Sequence, residues 1–126
     1  MKKVSIYLSV VLFVALGSAL TGCYKDIITQ ADPDGPAQPV SFKDELVPIF
    51  TTNCALSGCH VSGAYAPDLT AAKAYAALNN GIFVNTLIPK QSKLYLAVYG
   101  EMGTYIPSPI DKRKVYDWIR NGAPNN

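Results

Sequence analysis

Histidine is the scarcest reactive residue in this 126-residue chain: there is one, His60, alongside three cysteines, two methionines and a single tryptophan. With no second imidazole, the Ser-His-Asp and Cys-His arrangements that need a free histidine base have no support once His60 is used elsewhere. Charge of one sign is missing too. The chain carries 11 basic and 9 acidic side chains, but residues 1–22 hold Lys2 and Lys3 and no acid, which leaves 9 against 9 in the remainder. With no basic stripe and no alternation of basic and aromatic residues, RNA and DNA drop out as partners. The sequence also lacks an internal repeat, a convincing hairpin signal and an uninterrupted apolar run of the about 20 residues that a membrane-spanning helix needs. Its longest apolar run, residues 4–20, has 17 positions and is broken by Ser5, Ser9, Gly17 and Ser18.

That run follows Met1-Lys2-Lys3, the charged start of a secretory signal. It ends at Leu20-Thr21-Gly22-Cys23, which resembles the lipobox of bacterial lipoproteins, where small residues precede a cysteine that is acylated and becomes the new N-terminus. The resemblance implies loss of residues 1–22 and lipidation of Cys23. It places the protein in the cell envelope, lipid-anchored to a membrane, with the outer membrane expected and the domain either periplasmic or surface-exposed. The residues that open the mature chain, Cys23-Tyr24-Lys25-Asp26, also resemble a surface-export signal of lipoproteins. A cleaved signal that leaves Cys23 as a free thiol is the alternative. Residues 24–40 contain Pro33, Pro36, Pro39, Gly35 and three aspartates without a sustained apolar period. Together with Cys23 they read as a tether, residues 23–40, able to hold a following domain up to roughly 50 Å from the anchor.

Residues 41–126 make one domain of 86 residues, close to the size at which a core needs help from a disulfide, a metal or a cofactor. Ser41 caps an opening helix over "SFKDELVPIFTTN", Asp44 stands at capping-box spacing, and Phe42, Leu46, Ile49 and Phe50 share a face. Pro48 inside that pattern predicts a kink or a late start. Further helices are expected over "TAAKAYAALNN", stopped by Gly81, and over "KLYLAVY" between Ser92 and Gly100. The last is the clearest: Ser108 as cap, Pro109 at the first position, Asp111 three after the cap, and Val115, Trp118 and Ile119 on one face, with Gly122 and Pro124 beyond its end. The expected fold is all-α, with three to five short helices and long loops. Residues 61–67 and 100–107 are Gly/Pro-rich and aperiodic, which a small domain can hardly order around a core of side chains alone.

"NCALSGCH", residues 53–60, offers what would fill that centre. Cys54, Cys59 and His60 are every cysteine and histidine of the domain. In c-type haem attachment two thiols bond to the porphyrin vinyl groups and the histidine after the second cysteine ligates iron. The usual spacing is C-x-x-C-H; here it is C-x-x-x-x-C-H, with Gly58 as a flexible point in the longer loop. Two alternatives remain at this stage. Export to an oxidising compartment favours a Cys54–Cys59 disulfide, which leaves His60 without a role. Zinc would need a carboxylate or water beside these three ligands.

The stretch from Ser41 to Pro124 resembles a monohaem class I cytochrome c domain of the kind found in bacterial lipoproteins. The matching pieces are "FKDELVPIFTTNC" with "GCH", "APDL", "LIPKQSKLYLAVYGEM" and "VYDWIRNGAP". The resemblance implies a small cytochrome c-like fold around one covalent haem c held by Cys54, Cys59, His60 and Met102. His60 and Met102 would be the axial iron ligands. Met102, the sole methionine after the signal, lies 42 residues beyond His60 in a Gly-flanked loop, where such domains carry their distal ligand. Gly103 follows it where the family commonly has proline. Implied are one-electron transfer between redox protein partners, no catalysis and no small-molecule substrate. If Met102 does not bind, a five-coordinate haem peroxidase or gas sensor is the alternative; without haem, a disulfide- or zinc-stabilised surface binding module. Trp118, Val115 and Ile119 are expected to pack on Phe42, Leu46 and Phe50. Tyr65, Tyr75, Tyr95, Tyr99 and Tyr105 are assigned no site, and Lys112-Arg113-Lys114 reads as a solvated face.

Overall fold

Pro48 governs how the first helix begins. The computed structural model describes residues 34–126; the expected signal, Cys23 and tether residues 24–33 lie outside them. A proline lacks an N–H and its ring crowds the carbonyl four residues back. Here the turn before it, Phe42–Leu46, is widened to π geometry, and helix α1, Val47–Asn53, starts directly afterwards with Pro48 in its first turn. Ser41 Oγ accepts the Asp44 N–H at 3.1 Å, as the cap requires. The reciprocal bond, 2.9 Å from the Ser41 N–H, goes to the Glu45 carboxylate. The extra residue of the wide turn moves that acceptor from the expected Asp44 to its neighbour.

Helix α2 spans Ala74–Leu78 and is shorter than its apolar pattern suggests. Thr70, the expected start, turns its N–H and hydroxyl to Asp68 Oδ1 at 3.0 and 2.6 Å, and its carbonyl accepts the Lys73 and Ala74 N–H groups at 3.0 and 2.8 Å, so residues 70–73 form a turn that leads into the helix. Helix α3, Lys93–Tyr99, lies where expected. Helix α4, Pro109–Arg120, begins with Ser108 Oγ accepting the Asp111 N–H at 3.2 Å. Two 3-10 turns, Pro89–Gln91 and Glu101–Thr104, complete the order, the second inside a stretch expected to be aperiodic. No strand occurs among the described residues, so they are all-α.

The ends of the described chain close on each other. Leu46, Phe50, Val115, Trp118 and Ile119 are at most 1% exposed, and the Phe42 ring lies 5.0 Å from Trp118, 5.2 Å edge-on from Tyr75 and 6.3 Å from Phe50. Around this contact Asn126 takes the Lys43 N–H on its backbone oxygen and the Phe42 N–H on its side chain, both at 2.8 Å. Trp118 Nε1 donates to the Pro124 carbonyl at 2.9 Å, so the buried indole leaves no unpaired donor.

Helix α4 carries a polar stripe at helical spacing, and residues of the tether region lie across it. Asp117 is 1% exposed and accepts from Arg113 and Arg120, each at 3.0 Å. Arg113 also donates to the Asp34 carbonyl, Arg120 to the Gly35 carbonyl at 2.5 Å, and Asn121 to the Gln38 carbonyl at 2.6 Å. The Asp34 carboxylate accepts from Tyr116 at 3.1 Å and from Lys90 at 2.6 Å. Thus Lys112-Arg113-Lys114 is not simply a solvated face: Arg113 joins Asp117 to Asp34, and Lys114 pairs with Glu45 at 3.2 Å.

Trp118→Ala removes the side chain on which both chain ends pack. It should cost about 3–5 kcal/mol in urea unfolding, while Ile110→Ala, at a 71% exposed position of the same helix, should change stability by less than about 0.5 kcal/mol.

Candidate functional site

Helix α1 delivers Cys54. Its N–H closes the last turn onto the Phe50 carbonyl at 2.8 Å, and the thiol is half-buried. Three of the four residues that follow turn outward. Ala55 still bonds to Phe50 O, but Leu56, Ser57 and Gly58 are exposed, Gly58 with φ +79°, and the Cys59 N–H bonds to Leu56 O at 2.8 Å. The loop then closes: the His60 N–H reaches the Cys54 carbonyl at 3.1 Å. The long insert is a bulge that returns Cys59 and His60 beside Cys54.

The next segment aims the imidazole. His60 Nδ1 lies 3.1 Å from the Pro67 carbonyl oxygen. A carbonyl can only accept, so the ring proton belongs on Nδ1 and Nε2 presents a lone pair. Asp68, the next residue, holds that carbonyl in place. Its carboxylate accepts from Ser62 Oγ at 2.6 Å and from both Thr70 donors, with Lys73 at 3.6 Å. The Ser62 hydroxyl bond, followed by those from Thr70, pulls the Asp68 pKa down to about 2. Burial pushes the Cys54 thiol up to about 11, with Cys59 beside it adding to the shift. At neutral pH the Cys54 thiol is therefore protonated and a poor nucleophile, which slows its oxidation.

Met102 comes from the 3-10 turn Glu101–Thr104, seated on the end of α3 by two close approaches. A Cβ on Gly100 would fall 2.6 Å from the Leu96 carbonyl oxygen, and one on buried Gly103 would fall 3.0 Å from the Val98 carbonyl oxygen and 3.0 Å from Lys112 Nζ. These neighbours are mainly backbone, so glycine is the residue that lets the Met102 turn sit this close. Gly103 thereby has a packing reason of its own.

Cys54, Cys59, His60 and Met102 line one cavity of about 410 Å³, with Tyr65 and Tyr105 at its edge, 73% and 55% exposed. A second hollow of about 200 Å³ shares Cys54, His60 and Met102 and continues inward between Phe50, Leu69, Leu94 and Val98. Together they have the size of an ordinary cofactor site, roughly 300–1,000 Å³. Their donor set is two thiols, one imidazole nitrogen and one thioether on largely apolar walls. It fits a haem held by thioether bonds with nitrogen and sulfur available to iron. Among the described residues no three His, Cys, Asp or Glu side chains gather to hold a metal ion.

The four predicted site residues thus share one cavity, while Cys23 lies outside the described residues. Sequence reasoning did not assign roles to the Pro67 carbonyl, Asp68 or Gly100. The first two lie within "APDL", a piece that carried the family resemblance without showing why. No family model matches the chain, and no curated protein or solved structure matches it.

Because the Asp68 pKa is depressed from 3.8 to about 2, the stability it contributes is full above pH about 4 and is lost as pH falls toward 2. Asp68→Asn should lose that pH-dependent contribution. Thermal unfolding followed from pH 5 to 2 should show a shallower decline for the variant than for the unchanged protein.

Proposed function

We propose that the protein is a membrane-anchored c-type cytochrome, a one-electron carrier with a single covalent haem and a cytochrome c-like fold. The observation that carries this reading is the convergence of Cys54, Cys59, His60 and Met102 on one apolar cavity, with His60 Nδ1 held by the Pro67 carbonyl. Bound there, haem supplies reversible exchange between ferric and ferrous iron. Cys54 and Cys59 would hold it by thioether bonds. His60 offers Nε2, and the carbonyl on its other nitrogen fixes the tautomer and ring plane. Met102 offers a neutral thioether with no proton to exchange, a ligand that raises the reduction potential relative to a second nitrogen. Phe50, Leu69, Leu94 and Val98 would give the group apolar walls in the inner hollow. With His60 and Met102 both holding the iron, the group would leave no place for a small-molecule substrate. The partners are other redox proteins that approach the open side of the cavity.

The bonding is tested on protein made in cells that attach haem. Acid-acetone extraction should leave the colour on the polypeptide, and the oxidised protein should show the weak near-infrared band of methionine-ligated ferric haem. Met102→Ala should abolish the band, lower the reduction potential and admit carbon monoxide to the reduced iron. Complete extraction would remove the cytochrome assignment. A band-free, carbon monoxide-binding unchanged protein would instead favour the peroxidase or gas-sensor reading.

Anchoring has a separate test, motivated by Leu20-Thr21-Gly22-Cys23. Cys23→Ser should move the protein from membranes to the soluble fraction with its visible spectrum unchanged. Among the described residues no helix is long and apolar enough to cross a membrane, so retention of the variant would point to residues 4–20.

A further inference from the structure

Leu87 is 92% exposed and Ile88, next to it, is 50% exposed. A lone exposed leucine needs no explanation, but this pair is held out by a rigid frame. Asn85 Oδ1 accepts the N–H groups of both residues, at 3.1 Å from Leu87 and 3.0 Å from Ile88. Asn85 is itself fastened to Ser92, which is 1% exposed: its N–H donates to Ser92 Oγ at 2.9 Å, and that hydroxyl donates back to its carbonyl at 3.2 Å. The Gln91 N–H closes the following turn onto Ile88 O at 2.8 Å. The N–H groups of Leu87 and Ile88 and the Ile88 carbonyl are thus satisfied within the protein, which lowers the cost of taking them out of water.

Position indicates what the pair meets. Residues 69–100 contain no aspartate or glutamate, and two of their three lysines are paired outside that stretch, Lys73 with Asp68 and Lys90 with Asp34. Lys90, two residues past Ile88, contacts Asp34 at 2.6 Å. Asp34 is where the tether region joins the domain, so the apolar pair stands at the tether's own corner. From Cys23 to Asp34 the chain advances 11 residues, at most roughly 36–40 Å when fully extended. A corner bearing two solvent-facing aliphatic side chains, on a short leash to a lipid, matches the chemistry of interfacial insertion into a bilayer surface.

We infer that Leu87 and Ile88 insert into the surface of the membrane that holds the lipid anchor, docking the domain on the bilayer by its tether corner. The inference rests on lipidation of Cys23 as proposed above and is independent of the haem. It is tested with the full-length lipidated protein in vesicles of phosphatidylethanolamine and phosphatidylglycerol, with the photoreactive residue p-benzoylphenylalanine in place of Leu87. Irradiation should give lipid adducts located at position 87 by mass spectrometry, several-fold more abundant than with the same probe in place of Tyr65. Equal yields at the two positions, no lipid adduct at 87, or adducts instead to residues 23–33 or to a second copy of the chain would overturn it. Fractionation of the unprobed protein separates the two failures. A protein found in the membrane fraction but without the adducts sinks this inference alone, whereas a soluble unchanged protein removes the anchor and the inference with it.

Discussion

The packing of Phe42 against Trp118 is the contact on which the remaining structure depends. It joins the first described turn to the last helix, 76 positions apart in sequence, with Asn126 closing hydrogen bonds across the join. Once these ends are tied, the intervening chain must loop out and back. A chain this short has few side chains to spare for what it encloses. Hollows of about 410 and 200 Å³ remain beside the aromatic cluster. A large flat cofactor would convert that deficit into burial, which makes the proposed haem part of the folding argument as well as the functional one.

Two polar or close-packed devices hold the walls of that space. On one side Asp68 gathers Ser62 and Thr70 and so fixes the Pro67 carbonyl against His60. On the other, Gly100 and Gly103 let the Met102 turn lie flush on carbonyl oxygens of α3. Neither device touches the thiols, yet each positions one of the two candidate iron ligands. Both work through backbone carbonyls, which lose less freedom on ordering than long side chains would.

The same economy governs the surface. Helix α4 uses Val115, Trp118 and Ile119 for the core, and Arg113, Tyr116 and Arg120 to receive residues 34 and 35. Buried Asp117 between two arginines gives that stripe a fixed geometry. Tyr116 lies beneath Lys90, Arg113 and Arg120, at 5.7, 5.7 and 5.1 Å from its ring centre, where its face attracts their charge. Residues 34 and 35 therefore meet the rest of the domain at a defined corner beside helix α4.

The sequence by itself determined whatever depends on neighbours a few residues apart. Ser41 and Ser108 as caps, Pro109 at a helix start and the apolar faces of α1 and α4 were legible because capping and helical periodicity act over three or four positions. The candidate donors Cys54, Cys59, His60 and Met102 were legible because the chain has so few alternatives. Tertiary structure alone decided the rest. The closure of Phe42 on Trp118 joins residues 76 positions apart, and the close approach at Gly103 involves Lys112 of α4 as well as a carbonyl of α3. The aim of His60 follows from a proline oxygen that any residue could have supplied, and the docking of residues 34 and 35 from arginines and a tyrosine about 80 positions away. Backbone oxygens carry no letter in a sequence, and contacts at that separation exist only after the chain has closed on itself.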